Sequence, residues 1–274
     1  MTISPRQYTL AAAFTLLSAA VIWLVLSALG PDWTIFSPAT CTATRCFCEL
    51  PRVGNSMLQP ANSLSSYGYA FAGFLMIVLS QGRSWSSAFH KNAASWFGVT
   101  AIFVGIGSVL LHATLTLWGQ FFDVMGMYLV SGFMLVSAIA RWRHMSDRAS
   151  VLLYLGVVGG LLAVLYFVPE VRRSLFAVVL LAAISVELIF ARPHRRDVRV
   201  AYYIMGIVFK AAAFTIWNLD QNGIICSPQS VFQGHAVWHL LGASSLWCTF
   251  LYYRSEQPSF EPLGLDPSTD KSAV

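Results

Sequence analysis

The segment GIGSVLLHATLTLWGQFFD, residues 105–123, is apolar enough to cross a membrane, yet it contains Ser108, His112 and Asp123. Ionisable groups at membrane depth are costly, so they usually face a protein interior and have a function there. A second apolar segment, GHAVWH at 234–239, contains two further histidines one helical turn apart. The sequence therefore predicts a helical membrane protein whose interior holds several imidazoles and a carboxylate.

The composition of the whole chain agrees with this prediction. Of its 274 residues, 57% are hydrophobic and only 11% are charged, whereas a soluble domain carries roughly a quarter charged residues. A span needs about 20 mostly apolar residues. Segments of this kind lie at 9–29, 62–81, 95–117, 120–140, 150–168, 174–191, 200–218 and 231–253. We therefore predict an all-α integral membrane protein with eight transmembrane helices and no separate soluble domain.

The first of these segments is longer than the apolar core of a signal peptide, and no clear cleavage site follows it. We expect it to be a retained signal-anchor helix that forms an N-terminal unit over 1–30. The main helical domain then occupies 31–254. The remainder, 255–274, is rich in proline and poor in apolar residues, and we expect a disordered tail.

The distribution of positive charge predicts the orientation. With the N-terminus inside, the inner loops and ends carry about three times as many lysines and arginines as the outer loops, as the positive-inside rule requires. The net charge of +5 thus reports topology rather than a nucleic-acid partner. Both termini should be cytoplasmic. His112, Asp123 and His235 then fall at similar depth, towards the extracytoplasmic side.

The spacing of the histidines favours a metal site. His235 and His239 stand at i and i+4, so they project from one helix face at a spacing that can chelate one ion. Two separately hydrogen-bonded interior histidines are the alternative. His112 at matched depth supplies a third imidazole. Three protein ligands leave a fourth tetrahedral position for water, which is typical of catalytic zinc.

Ser108 and Asp123 accompany these histidines. Ser108 shares a helix face with His112, where it can orient the imidazole or donate to a developing oxyanion; its alternative role is a bond to its own helix backbone. Asp123 can be a zinc ligand, a partner of a histidine or a general base. The alternative is a carboxylate favoured near a helix start by the helix dipole.

Glu187 and Lys210 are the other charged residues within the predicted spans. Neither falls at the predicted depth of the histidines. We expect structural roles for both, either paired with each other or, for Lys210, with its ammonium group reaching towards the membrane surface.

Four cysteines fall in predicted outer loops: Cys41, Cys46, Cys48 and Cys226. An oxidising side of the membrane favours disulfides, and four cysteines allow three connectivities. A zinc knuckle formed by CTATRCFC at 41–48 is the competing interpretation. It has no fourth ligand at a suitable spacing within the loop.

Four motifs in order resemble the alkaline ceramidase family and its wider superfamily of seven-span hydrolases. The segment at 105–123 resembles the family's Ser-x-x-x-His…Asp signature, and GHAVWH at 234–239 resembles its closing His-x-x-x-His motif. CELPRVGNSMLQPANSLSS at 48–66 and TIWNLDQNGIIC at 215–226 resemble the opening motif and the segment before the last span. The resemblance covers about 46–253. It implies a seven-helix hydrolase core over 31–254, to which the first span is an addition.

The resemblance also implies roles for the site residues. His112, His235 and His239 would bind Zn²⁺, and Asp123 and Ser108 would be the supporting catalytic pair. The disulfide partners of the family match Cys48 and Cys226, which leaves Cys41 and Cys46 for a local second bridge.

The opening motif departs from the family pattern around its calcium site. Of the acidic and amide residues expected there, only Glu49 is clearly kept. Pro51 stands where an asparagine is expected, and Gln59 stands where a glutamate is expected. Ca²⁺ dependence is therefore not expected. The surroundings of Asp123 also differ from the family's run, since Val124 to Met127 replace its following residues.

The function that the resemblance implies is zinc-dependent hydrolysis of the amide bond of a ceramide-like membrane lipid, giving a fatty acid and a sphingoid base. One alternative is an ester-cleaving acyl hydrolase of the same superfamily, with a head-group pocket shaped by the loops at 30–61 and 219–230. Another is a receptor-like protein that binds a lipid without turning it over. The presence of both Asp123 and Ser108 favours catalysis. We expect a lipid substrate, no nucleic acid and no obligate protein partner.

Overall fold

The computed structural model describes residues 3–42, 47–83 and 85–258, and within them the chain is helical without strands. All eight predicted spans are helices, so the predicted all-α membrane fold is confirmed. The helices are α1 Pro5–Leu29, α2 Pro60–Ser80, α3 Lys91–Thr114, α4 Leu117–Arg143, α5 Asp147–Phe167, α6 Arg172–Val186, α7 Val200–Gln221 and α8 Gly234–Arg254. Seven of them have the length and hydropathy of a membrane span, with α6 counted together with its flanking turns as Pro169–His194. Helix α8 is equally long but is not among these seven, and it carries the two histidines of the GHAVWH motif.

Helix α1 lies on the outside of the bundle. It packs on α2, and only Ala11 and Leu26 are buried along its length. Large apolar side chains such as Leu16 and Leu24 are 71% and 68% exposed, which suits a surface that faces lipid. Helix α1 therefore contributes little to the interior of the bundle, and its assignment as a separate N-terminal unit stays a prediction.

Within the core, α3 packs against both α2 and α4. Helix α2 also packs against α8, α4 also packs against α5 and α6, and α7 covers α8. The contact between α3 and α4 is unusually close at Gly107. A Cβ atom at this position would lie 2.9 Å from the backbone nitrogen of Asp123 and closer still to the carbonyl oxygen of Phe122. Glycine therefore allows the helix with Ser108 and His112 to approach the helix with Asp123.

A short turn and the first loop stabilise the end of the bundle where α3 ends and α4 begins. Helix α3 ends at Leu115, which has a left-handed backbone, and the Thr116 hydroxyl then caps α4 by accepting from the Gly119 N–H. Backbone N–H groups of Leu58 and Gln59 donate to carbonyl oxygens of the last turn of α3. These bonds satisfy carbonyls that a helix end would leave unpaired, and they join the start of α2 to the end of α3.

A disulfide joins the two long loops at the same end. Cys48 and Cys226 are bonded across 178 residues of sequence, and they are the pair that the family resemblance implied. The Leu50 N–H donates to the Pro228 carbonyl beside it. The suggested second bridge involves Cys46, which lies outside the described residues.

The opposite end of the bundle holds a buried ionic cluster. Arg195 donates to Glu187 at 2.6 and 2.9 Å and to Glu256 at 2.8 Å, and Arg141 also pairs with Glu256. The expectation that Glu187 pairs with Lys210 is therefore wrong. Glu256 lies in the stretch predicted as a disordered tail, yet it is buried, while 259–274 lies outside the described residues.

Candidate metal centre

Three histidines from two helices meet inside the bundle. His112 comes from the last turn of α3, and His235 and His239 come from the first two turns of α8. All three are buried, and their ring centroids are 4.6 to 5.1 Å apart. One nitrogen from each ring lies within 4.8 Å of the others. Neutral imidazoles in this arrangement are metal ligands of a kind that zinc accepts.

The tautomer of His112 follows from a chain of hydrogen bonds through Gln59. The Gln59 amide nitrogen donates to the Glu49 carbonyl oxygen at 2.7 Å, which fixes the orientation of the amide group. Its oxygen must then face His112, and it accepts from Nδ1 of that ring at 2.9 Å. Because the proton of His112 is on Nδ1, the lone pair of Nε2 is available to an ion.

His239 is held in the same way from α2. Its Nδ1 lies 2.9 Å from the Ser65 hydroxyl and 3.2 Å from the Ser66 hydroxyl. Both hydroxyls donate to the Asn62 carbonyl, so their oxygens are left to accept from Nδ1–H. The Nε2 atom of His239 thus faces the centre, where the Ser108 hydroxyl lies 3.1 Å away.

His235 has a different environment. The Phe47 ring packs against it and against His112, with a centroid distance of 4.4 Å in each case. Its Nδ1 is buried without a hydrogen-bond partner among the described residues. An orphaned polar atom of this kind is expected where a bound ligand completes the site.

These residues fit a zinc ion. Two nitrogens on one tetrahedral zinc ion are about 3.4 Å apart, because each Zn–N bond is about 2.0–2.1 Å long. Ligand nitrogens that lie within 4.8 Å of one another therefore need to close by up to about 1.4 Å, which small side-chain rotations can supply. The partners of His112 and His239 already place the protons of these rings away from the centre, which is the role of residues that surround metal ligands.

Asp123 and Ser108 lie beside the histidines but are not part of the trio. Asp123 is partly exposed to a cavity of about 300 Å³ that Ser108, His235 and His239 also line. The Ser108 hydroxyl lies within hydrogen-bonding reach of the Asp123 carboxylate as well as of His239. Of the three roles open to Asp123, this position favours a proton carrier over a metal ligand.

The cavity is mainly apolar, and its volume is at the lower end of the range for small-molecule sites. Its apolar wall includes Val104, Val124, Met127, Val130 and Phe176. Such a wall suits part of an acyl chain, with the polar residues at one end.

The structure places three cations in this cavity that sequence reasoning did not assign to the site. Lys210 was expected at a different depth, but it lines the cavity, and Arg172 and Arg173 at the start of α6 line it as well. The sequence signal for the arginines was a tandem pair at the predicted outer end of a span. It was used only to predict topology.

The residues around Glu49 do not fit a calcium site. The Glu49 carboxylate accepts from the backbone N–H groups of Ala61 and Asn62 at 2.8 and 2.9 Å, and so caps the start of α2. Burial raises the pKa of this carboxyl group. The Gln59 side chain presents an N–H donor to the Glu49 carbonyl, whereas calcium requires oxygen ligands.

Comparison with known proteins identifies the family of the chain. A family model described as Ceramidase matches residues 40–258, which include α2 to α8 and every residue of the candidate centre. No curated protein matches the chain significantly. The match covers most of the chain, so the chain belongs to the ceramidase family.

Proposed function

We propose that this protein is a zinc-dependent amidase that hydrolyses the N-acyl bond of a ceramide-like lipid within the membrane. Membership of the ceramidase family supports a hydrolase of this type. The observation that carries the proposal is the buried trio His112, His235 and His239, which opens on an apolar cavity shared with Asp123 and Ser108.

The three histidines would hold the metal through ring nitrogens that face the centre. Gln59 keeps the Nδ1 proton of His112 away from the centre, and Ser65 and Ser66 do the same for His239. When bound, zinc would supply Lewis-acid activation of a water molecule and of the acyl carbonyl group.

Asp123 is placed to move the proton. It faces the cavity beside the trio, so its carboxylate can accept a proton from the attacking water and return it to the leaving amine nitrogen. Ser108 can donate its hydroxyl hydrogen to the oxygen on which negative charge develops. In the present arrangement that hydroxyl lies 3.1 Å from Nε2 of His239, so it is already directed towards the centre.

The apolar part of the cavity would take the acyl chain, so the lipid need not leave the membrane to react. We also propose that the site lies towards the extracytoplasmic face, with both termini in the cytoplasm. The excess of lysine and arginine in the alternate loops supports this orientation. The Cys48–Cys226 disulfide, at the same end as the histidines, is consistent with an oxidising compartment.

The test is to purify the full chain in detergent, measure its zinc content and assay a panel of lipids by mass spectrometry. The panel contains ceramides, phospholipids and acyl esters. His239→Ala should lose zinc and activity. Asp123→Ala should keep zinc and lose hydrolysis, because it is placed as a proton carrier. His194→Ala is the control, since this histidine lies outside the centre, and it should keep both.

The outcomes separate the candidate functions. Wild-type protein without zinc would refute the metal mechanism. Cleavage of esters with no cleavage of amides would favour the ester-cleaving alternative. Bound zinc with lipid binding but no hydrolysis of any class would favour a receptor-like protein. Loss of zinc in Asp123→Ala would make Asp123 part of the metal site rather than the base.

A further inference from the structure

The wall of the cavity carries more positive charge than hydrolysis of a neutral lipid requires. Arg172, Arg173 and Lys210 all line it, and Asp123 is the one carboxylate among the described lining residues. All three cations lie close enough to the centre to act on it electrostatically. Arg172 and Arg173 interact with Asp123, Arg173 interacts also with His235, and Lys210 interacts with His239.

None of the three cations forms an ion pair within the described residues. The ion pairs found there belong to the cluster of Arg141, Glu187, Arg195 and Glu256 at the other end of the bundle. The polar contact of Arg172 is a bond from Nη1 to the Pro169 carbonyl at 2.9 Å. Its guanidinium group has further N–H donors for a ligand.

Aromatic rings hold the other two cations in place. The guanidinium carbon of Arg173 lies 5.2 Å from the ring centre of Trp217, and Nζ of Lys210 lies 4.9 Å from that of Trp238. Stacking of this kind positions a cation without using its hydrogen-bond donors. The two tryptophans are themselves packed together at 5.6 Å, so the two cations share one aromatic support.

Arg173 is exposed and Arg172 and Lys210 are half-buried, so all three charges are open to a ligand that enters the cavity. For the two half-buried groups, an anionic ligand would replace water that partial burial has removed. The guanidinium fork matches the oxygens of a phosphate or carboxylate, and the lysine ammonium adds a point charge. Arg172 and Arg173 also begin α6, where the helix dipole favours an anion. A neutral hydroxyl head group could accept a hydrogen bond from these cations but would leave their charge uncompensated.

We propose that the head group of the lipid substrate carries an anionic oxyacid group, of which phosphate is the simplest case, bound by Arg172, Arg173 and Lys210. This proposal rests on the proposed function, since it names the substrate class of the same cavity. It makes the three cations specificity-determining residues, separate from the histidines that hold the metal and from Asp123.

The test compares two matched lipids in identical detergent micelles: an N-acyl sphingoid base with a free hydroxyl head group, and the same lipid phosphorylated on that hydroxyl. Equilibrium binding to the full-length Asp123→Asn protein is measured first, and hydrolysis by the wild type second. We expect the phosphorylated lipid to bind at least about 10-fold more tightly, since hydrogen bonds between charged groups are strong.

Variants assign this preference to residues. Arg173→Gln and Lys210→Met should each weaken binding of the phosphorylated lipid by about 10- to 100-fold and weaken binding of the neutral lipid by a clearly smaller factor. Arg173→Lys should recover part of the loss because it keeps the charge. Arg143→Gln is the matched control, since Arg143 also stacks on a tryptophan but lies outside the cavity wall, at the far end of α4.

The outcomes distinguish this proposal from the proposed function. Hydrolysis of the neutral lipid with no preference for the phosphorylated one would overturn the anionic subsite and leave the amidase intact. Tight, arginine-dependent binding of the phosphorylated lipid without hydrolysis would support the subsite and refute the amidase. If the variants change inhibition by free fatty acid but not the preference between the lipids, the cations hold the product carboxylate, and the proposal is wrong. Equal losses for both lipids would overturn it as well.

Discussion

Replacing Gln59 by leucine should weaken zinc binding without removing a metal ligand. Gln59 is 1% exposed and makes two hydrogen bonds, at 2.7 Å to the Glu49 carbonyl and at 2.9 Å from His112. Leucine has a similar size but can make neither bond. Loss of a partner that orients a metal-binding histidine typically costs 10- to 100-fold in affinity. We therefore expect the zinc dissociation constant to rise by that factor, which is about 1.4–2.7 kcal/mol.

The assay is competition for zinc between the purified protein and a chelator of known affinity, followed by the zinc content per protein. Gln120→Leu is the matched control. Gln120 is 3% exposed and accepts two hydrogen bonds from Thr40, at 3.0 and 2.9 Å, and it makes no hydrogen bond to a histidine among the described residues. Both variants should lower the thermal unfolding temperature, and only Gln59→Leu should release zinc. Unchanged zinc affinity in Gln59→Leu would refute the assignment of the His112 proton to Nδ1.

Three further predictions concern packing, buried charge and pH. Gly107→Ala should force α3 and α4 apart and lower the free energy of unfolding by about 1–3 kcal/mol. The variant should lose more activity than zinc, and unchanged activity would contradict the close contact. Arg195→Met should destabilise the protein by about 3–5 kcal/mol in thermal unfolding, because Glu187 stays buried without its cation and Glu256 keeps only Arg141 among its described cationic partners. Glu187→Gln in the same chain should recover part of the loss. Burial raises the pKa of Glu49, so its contribution to stability is present below pH 4.5 and is lost as pH rises through the raised pKa. Glu49→Gln should flatten the dependence of the unfolding free energy on pH in this range. An unaltered dependence would show that another group titrates there.

The sequence was sufficient for the helices and for the histidines. Apolar length located the eight helices, because a membrane leaves no other stable arrangement for the backbone. The i, i+4 spacing put His235 and His239 on one face, and matched depth brought His112 to them. These inferences need only local periodicity and a count of residues from the membrane surface, and both quantities can be obtained from the sequence.

The partners of the histidines could not be obtained in this way. Gln59 reaches His112 because the start of α2 docks on the end of α3, and that contact joins residues 53 positions apart. The role of Lys210 in the cavity wall could not be obtained from its position along the helix axis. Its long side chain reaches the ring of Trp238 one helix away. Side-chain direction and helix rotation decide such contacts, and neither is encoded in spacing alone.

Two departures from the family pattern, Gln59 in place of the expected glutamate and the loss of calcium ligands nearby, are related in the structure. The resemblance expects a glutamate at position 59 and calcium ligands nearby, whereas this chain has Gln59 and Pro51. A glutamate at 59 would place a carboxylate oxygen about where the amide nitrogen of Gln59 now donates to the Glu49 carbonyl. Two acceptors at that distance repel unless a cation lies between them. The amide group of Gln59 thus links the first loop to His112 through two direct hydrogen bonds, and this link needs no cation.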